Sequence, residues 1–326
     1  MIEIKINANE QNKRIDNLLK KYLKNAPLSF IYKLFRKKDV KVANKPVKMD
    51  YITKENDVVF VYITKEQEQE FINKQTITTS KKRNFQVIYE DDNVLIVNKE
   101  AKLLVHDGED GNEDTLTKQV LDYLIENKSY DIENEKTFVP ALAHRIDRNT
   151  SGIVVIGKNL LSLQELFKAF KDHGGIEKNY SALVCGKVLK QGVVDVPLIK
   201  DEKRKIVNVD KDNGLSATSI YEPLEVFEDV SLLKVSILTG RTHQIRVHMN
   251  YINHPLVGDK KYGNKQSDIL AKKYKMSNYF LHARKICFKN LTGNLSYLNN
   301  KEFIAPYFKW QENLLERINN HGKLFN

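Results

Sequence analysis

The chain has 326 residues, of which 41% are hydrophobic, enough for a substantial core and more than a single domain usually contains. Its formal net charge of +11 favours a polyanionic partner, either a nucleic acid or an anionic membrane. No apolar run approaches the roughly 20 residues that span a bilayer, and the N-terminus lacks the pattern of a signal peptide, which excludes a membrane or secreted protein and predicts a cytoplasmic one.

Two amphipathic helices are predicted near the N-terminus. The segment 13–24 has apolar residues spaced i, i+3, i+4 and i+7, with lysines on the opposite face. After Pro27, Ser29 is predicted to cap a second helix, and short strand-like runs follow it. The basic residues of this second helix are Lys33, Arg36, Lys37 and Lys38. The first 65 residues hold 15 Lys and Arg against 7 Asp and Glu, so we predict a surface here that binds a polyanion, with a merely solvated face as the alternative.

A polar segment separates this region from a larger one. Residues 64–84 are rich in Gln, Glu, Lys and Thr and hold few apolar residues, which predicts a linker. From Phe85 onward, Val- and Ile-rich runs without helical periodicity recur, for example GIVVIGK at 152–158. They predict an α+β domain, extending to about residue 315, with a mixed and largely antiparallel sheet.

Neither a disulfide framework nor a metal site is predicted. Cys185 and Cys287 lie about a hundred residues apart with no CxxC pair, and both are expected to be buried. His243 and His248 are five residues apart with no acidic residue between them, which does not match the HExxH pattern of zinc enzymes.

The stretch AHRIDRNTSG at 143–152 places one carboxylate, Asp147, between Arg145 and Arg148. An apolar strand follows directly, so Asp147 is expected on a loop that a rigid sheet holds in place. Taken alone, the motif is more typical of an aspartate in a surface ion pair or a turn.

Two further polar stretches change that interpretation. Tyr180 lies at the predicted start of a strand in KNYSAL at 178–183. In LTGRTHQIRVHMN at 238–250, helical spacing after a possible Thr242 cap leaves Arg246 off the apolar stripe and able to face a cleft.

Together these stretches resemble the RluA-type pseudouridine synthases, in the branch that modifies large-subunit ribosomal RNA and carries an N-terminal S4 RNA-binding domain. The resemblance covers about residues 12–310. Its most specific motif is HR(L/I)DxxTSG, and the matching stretches are His144–Gly152, Lys178–Val184, Thr239–His248, His254–Gly263 and Leu281–Ala283. One motif departs from the family pattern, because NKPxGxxVH is replaced by NKEAKLLVH at 98–106, with Glu100 and Lys102 in place of Pro and Gly.

The resemblance implies an S4-like domain at 12–63, a linker at 64–84 and a catalytic domain at 85–315. It implies that Asp147 is the catalytic carboxylate, acting on the sugar or at C6 of uracil, that Arg246 pairs with it and that Tyr180 packs on the uracil face. Arg145 would hold the target nucleotide out of its stack, and Leu281 would line the pocket. The implied reaction isomerises a uridine of RNA, and the branch implies large-subunit ribosomal RNA. The protein is expected to act as a monomer without cofactor or metal.

The main alternative is a non-catalytic S4-type RNA-binding or ribosome-assembly protein. It would account for the basic N-terminal region but would leave Asp147, Tyr180 and Arg246 without a role. A nuclease or glycosidase would need a second carboxylate or metal ligands near the first, and no motif supplies them.

Overall fold

A computed structural model of the chain describes residues 1–72, 82–106, 113–132, 135, 137–172 and 174–323. The chain divides into two compact units. The first unit comprises Met1–Thr79, Leu121–Pro140 and Asn159–Leu161, and the second comprises Ser80–Val120, Ala141–Lys158 and Ser162–Asn326. The domain limits that the sequence indicates, 12–63 and 85–315, stay a prediction. Within the described residues, none of the helices combines the length and the apolar character needed to cross a membrane.

The first unit contains a four-stranded antiparallel sheet and short helices. Its elements are β1 (Ile2–Lys5), α1 (Ile15–Tyr22), α2 (Leu28–Arg36), β2 (Val40–Val42), β3 (Lys45–Pro46), β4 (Val58–Val61) and α3 (Lys65–Phe71). The strand order is β1-β4-β2-β3, and the apolar stripes of α1 and α2 form one core with the sheet. The two predicted helices are therefore confirmed. Strand β1 was not predicted, although Ile2 and Ile4 alternate with exposed residues as a half-buried strand requires.

Two local features of this unit differ from the sequence-based expectation. Helix α2 begins at Leu28 with Pro27 at its N-cap, so the prediction that Ser29 caps it was wrong. The segment 64–84 opens with a helix, α3, whose Thr64 side chain accepts a hydrogen bond from the Gln67 backbone in a capping box. Phe71, at its end, is buried. Residues 73–81 of the predicted linker lie outside the described residues.

Within the first unit, residues of the segment Leu121–Pro140 form hydrogen bonds with residues near the N-terminus. The Glu135 carboxylate accepts hydrogen bonds from the side-chain amides of Asn7 (2.9 Å) and Asn9 (3.1 Å). Glu10 accepts one from the Thr137 hydroxyl at 2.6 Å. Residues 135 and 137 therefore complete the polar surroundings of the N-terminus.

The remaining elements follow in chain order. They are β5 (Phe85–Glu90), β6 (Val94–Lys99), α4 (Leu116–Glu126), β7 (Ala141–Leu142), β8 (Ser151–Gly157), α5 (Leu160–Lys171), β9 (Ile176–Cys185), β10 (Gly192–Asp195), β11 (Leu198–Asp201), β12 (Ile206–Val209), β13 (Thr218–Val226), β14 (Val230–Ile237), α6 (Gln244–Tyr251), α7 (Lys265–Lys273), β15 (Leu281–Phe288), a 3₁₀ helix (Gly293–Leu298), β16 (Glu302–Ile304) and α8 (Lys309–Lys323).

The second unit is built on a ten-stranded sheet. Eight strands follow the order β10-β13-β14-β9-β15-β8-β6-β5, while β16 pairs with β15 and β7 pairs with β8. Among the described residues, the β15–β8 pair is parallel, and the other strand pairs of this sheet are antiparallel. The predicted α+β class, with a mixed and largely antiparallel sheet, is confirmed.

Strand β9 separates two apolar clusters, because successive side chains of a strand point to opposite faces. Ala182 and Val184 pack in the cluster that contains Ile245 and Met249 of α6. Leu183 and Cys185 pack in the cluster that contains residues of α8. Both cysteines are buried and free, as predicted. The sheet thus fixes the position of α6, which carries Arg246.

Candidate active site

Asp147 lies on the loop that leads into β8, as predicted. His144 anchors this loop, because its ring stacks on Phe170 with 4.2 Å between centroids and its Nε2 accepts the Val155 N–H at 3.2 Å. Burial lowers the pKa of His144 to about 3, so the imidazole is neutral and remains an acceptor. At the end of the loop, Gly152 has a φ of +111°, and a Cβ there would collide with the backbone of Ala283. This position requires glycine.

Arg246 joins Asp147 to a second aspartate. Its Nη1 lies 3.1 Å from Oδ2 of Asp147, while its Nε and Nη2 donate to Oδ2 and Oδ1 of Asp259 at 2.7 and 2.8 Å. Arg246 is 7% exposed and Asp259 is 1% exposed. Asp259 is a site residue that the sequence analysis missed, although it lies in the HPLVGDKKYG motif.

The surroundings of Arg246 keep its guanidinium both charged and fixed. The Tyr262 and Tyr279 rings lie 4.9 and 4.7 Å from it, and the Lys261 N–H donates to Asp259 at 2.9 Å. Burial disfavours the charges, but the paired hydrogen bonds outweigh it, raising the pKa of Arg246 and lowering that of Asp259. One guanidinium edge thus satisfies Asp259, and the remaining Nη1 is aimed at Asp147.

His243 is the second residue whose position the sequence did not reveal. It precedes α6 in a left-handed conformation without a side-chain cap, so the predicted Thr242 cap was wrong. The Tyr262 hydroxyl accepts the Val207 N–H at 2.9 Å and lies 2.8 Å from Nδ1 of His243. We infer that the hydroxyl donates a hydrogen bond to Nδ1. The imidazole therefore carries its own N–H on Nε2.

This tautomer directs an N–H of His243 toward the Asp147 carboxylate. Nε2 lies 3.8 Å from Oδ2 of Asp147, which is longer than a hydrogen bond. Burial lowers the pKa of His243, so the ring is neutral at physiological pH. The sequence alone suggests no role for His243 beyond the metal ligand that its spacing from His248 argues against.

Two cavities meet at Asp147. The larger, about 630 Å³, is lined by Arg145, Arg148, Lys260 and Lys261 among others. The smaller, about 80 Å³, is lined by side chains that include Tyr180, Leu281, Ile237 and Ile245. Burial raises the pKa of the Tyr180 phenol, and the nearby charge of Asp147 adds to the effect. The larger cavity is cationic, and the smaller has both polar and apolar walls, with the neutral Tyr180 phenol among them.

The structure therefore brings together five of the residues predicted for the site, namely Arg145, Asp147, Tyr180, Arg246 and Leu281. The other four belong to the first unit and are exposed, two on α2 and two directly after it: Lys33, Arg36, Lys37 and Lys38.

The loop that departs from the family pattern is hydrogen-bonded to the loop that carries Asp147. Lys102, which replaces the family's glycine, has a φ of +75°, a left-handed conformation that costs a non-glycine residue about 1 kcal/mol or more. Its carbonyl accepts the Arg148 Nε–H at 3.2 Å. The fully buried Lys99 donates to the carbonyls of Glu100 (2.8 Å), Leu103 (2.9 Å) and Arg148 (3.1 Å). The backbone shape that the glycine would favour is thus retained.

Comparison with known proteins assigns the family. A family model for RNA pseudouridylate synthase matches residues 93–251. A ribosomal large subunit pseudouridine synthase C of Vibrio parahaemolyticus is 34% identical over 290 residues, 88% of this chain and 88% of that protein. The chain belongs to the RNA pseudouridylate synthase family. The relative of the same name in Vibrio cholerae is 35% identical over 289 residues, 87% of this chain and 88% of that protein.

The fold agrees with this family. The solved structure of human RNA pseudouridylate synthase domain containing 4 superimposes with a TM-score of 0.55 at 22% identity, covering 72% of this chain and 92% of that one. As a pseudouridine synthase, the enzyme is an isomerase that converts uridine to pseudouridine in RNA. Asp147, Tyr180 and Arg246 lie inside the segment that the family model matches, and Asp259 and Leu281 follow it.

Proposed function

We propose that the enzyme isomerises specific uridines of large-subunit ribosomal RNA and that Asp147 is its catalytic carboxylate. The observation that carries the assignment is the pairing of Asp147 with Arg246 at 3.1 Å, since Arg246 is itself fixed by the buried Asp259. The choice of RNA rests on relatives at 34 and 35% identity that are named for the large ribosomal subunit.

The chemistry needs an ionised, oriented carboxylate beside an extruded nucleotide. Arg246 holds Oδ2 of Asp147 and so presents Oδ1 to the ribose C1′ or to C6 of the uracil; both routes break the N1–C1′ bond and rejoin the base through C5. A stacked base cannot rotate, so the uridine must leave its helix, and the exposed Arg145 occupies the space it vacates. Tyr180 and Leu281 contact the freed uracil in the small cavity.

The reaction loses no atom and transfers no electrons, so the proposal includes neither a cofactor nor a metal. Each proposed catalytic group comes from one chain, and a monomer is therefore sufficient. A ribosomal RNA substrate supports a location in the cytoplasm. A purely RNA-binding role is less favoured, because it gives no use to a buried arginine that presents a cation to Asp147.

The proposed activity is tested with a large-subunit ribosomal RNA transcript that carries tritium at C5 of uridine. Isomerisation replaces the C5 hydrogen with the bond to C1′, so the purified enzyme should release tritium into water without ATP or added metal. Mapping of pseudouridine in the product then locates the modified position. RNA binding without tritium release would instead support the non-catalytic RNA-binding protein.

We also propose that the first unit is an S4-like domain that binds the same RNA through α2. The supporting observation is an open cavity beside this helix, with a volume of about 830 Å³. The cations that line it are Arg14, Arg36, Lys38 and Lys48. Lys33, on the same helix, and Lys37, directly after it, are exposed as well. Two helices leading into a small sheet agree with the S4 pattern predicted for residues 12–63.

Neutralising α2 should weaken RNA binding and reduce its salt dependence. The fourfold variant carries Lys33→Gln, Arg36→Gln, Lys37→Gln and Lys38→Gln. Each lost phosphate contact lowers the slope of log affinity against log salt by roughly 0.7–0.9, so the total decrease should reach about 3. A matched control carries Lys187→Gln, Lys190→Gln, Lys203→Gln and Lys211→Gln. Equal slopes for both variants in filter binding would show that α2 does not contact RNA.

A further inference from the structure

Trp310, the single tryptophan of the chain, lies near the start of α8 with 37% of its surface exposed. Its ring meets the buried Phe280 edge-on, with 6.0 Å between centroids and an interplanar angle of 63°. This contact fixes the orientation of the indole. A fixed and partly exposed indole offers a flat apolar surface on which another ring can stack.

The Trp310 indole lines a cavity of about 430 Å³ in the second unit. Cations line this cavity as well, namely Lys102, Lys275 and Arg317, against one carboxylate, that of Glu100. Each of the three cations is an exposed residue. An aromatic surface among cations is the combination by which proteins bind single-stranded nucleic acid, because it serves both the bases and the phosphates.

This cavity adjoins the larger cavity at Asp147. Ser277 and Asn278 line both cavities. The Asn278 side-chain amide donates to the carbonyl of Asn149, in the catalytic loop, at 2.9 Å. A chain of nucleotides that leaves the cleft at Asp147 therefore has the Trp310 cavity directly beside it.

We propose that this cavity binds a nucleotide next to the target uridine, with its base stacked on Trp310 and its phosphates neutralised by Lys102, Lys275 and Arg317. Extrusion of a uridine removes stacking from its neighbours, and an indole that accepts one of those bases compensates for the loss. The inference rests on the RNA activity of the family and does not depend on the chemical role of Asp147.

Trp310 itself reports on the proposal. Because the chain has one tryptophan, its tryptophan fluorescence, excited at wavelengths that tyrosine does not absorb, comes from this cavity alone. Addition of the large-subunit ribosomal RNA transcript to the full-length enzyme should quench the emission in a saturable way, with the midpoint found by filter binding. Unchanged emission at saturating RNA would overturn the inference, while tritium release by the same sample would leave the proposed activity intact.

Two substitutions of Trp310 distinguish the loss of base stacking from a loss of folding. Trp310→Ala should raise KM for the transcript by about tenfold, the size of effect that loss of one stacked base produces, with kcat within about twofold. Trp310→Phe keeps a ring and should stay within about threefold of wild type in KM.

The charge is tested separately, at an exposed position where loss of folding is not a concern. Arg317→Gln should raise KM severalfold and shift the fluorescence midpoint to higher RNA concentration, while Lys190→Gln, an equal change of charge outside the cavity, should change neither. Wild-type KM values for both Trp310→Ala and Arg317→Gln would show that the cavity does not hold RNA.

Discussion

Asp147→Asn should lower the rate of pseudouridine formation by at least about 10⁴-fold, the range found when an enzyme loses its nucleophile. The amide oxygen can still accept the hydrogen bond from Arg246, so the loop should keep its shape. The variant lacks the negative charge, however, and an amide oxygen is a poor nucleophile and a poor base. Loss of activity should therefore occur without loss of folding or of RNA affinity.

Single-turnover tritium release measures this effect without interference from product release. The control is Asp268→Asn, an equal substitution at an exposed position on α7. Thermal unfolding and filter binding should give wild-type values for both variants. If Asp147→Asn turns over within about tenfold of wild type, another group carries out the chemistry.

Arg246→Met should have the largest combined effect on stability and activity. It leaves Asp259, which is 1% exposed, as a buried carboxylate without its cation. Removal of one partner of a buried ion pair costs about 3–5 kcal/mol, so the free energy of unfolding should fall by that amount in urea titrations. Activity should fall as well, because Asp147 loses the group that orients Oδ2.

The double variant Arg246→Met, Asp259→Asn separates the two effects. Its neutral amide removes the buried charge and can still accept the N–H bonds that Lys261 and Tyr262 donate to Asp259. Most of the lost stability should therefore return, while single-turnover activity stays low. Recovery of both properties would mean that Arg246 serves only the packing of the site and does not act on Asp147.

Patterns along the chain predicted most of the fold, because helical and strand periodicity are local properties. The stripe of α1 and the Val- and Ile-rich strands needed no knowledge of distant contacts. Helix starts were less predictable. Pro27 takes the N-cap of α2 in place of Ser29, and His243 precedes α6 in a left-handed conformation. A preference for Ser or Thr at a cap is weak compared with such backbone requirements.

The sequence predicted site residues only where a family motif assigns a role to the residue. Asp147 and Arg246 were named through a family resemblance, and they lie 3.1 Å apart. Asp259 lies within a family motif, but its role depends on the ion pair with Arg246, on a helix that ends eight residues earlier. The tautomer of His243 depends on Tyr262 and Val207, which are distant in the chain. Contacts of this kind come from tertiary packing and leave no spacing pattern.

The position of β15 in the sheet has a consequence for synthesis of the enzyme. This strand lies between β9 and β8, yet it begins 96 residues after β9 ends. At 5–20 residues per second, a ribosome needs roughly 5–20 s to supply it. During that interval the nascent sheet is split into halves with unpaired inner edges, which are prone to aggregation. Leu281 also arrives with β15, so a chain that terminates before this strand lacks one wall of the smaller cavity at Asp147.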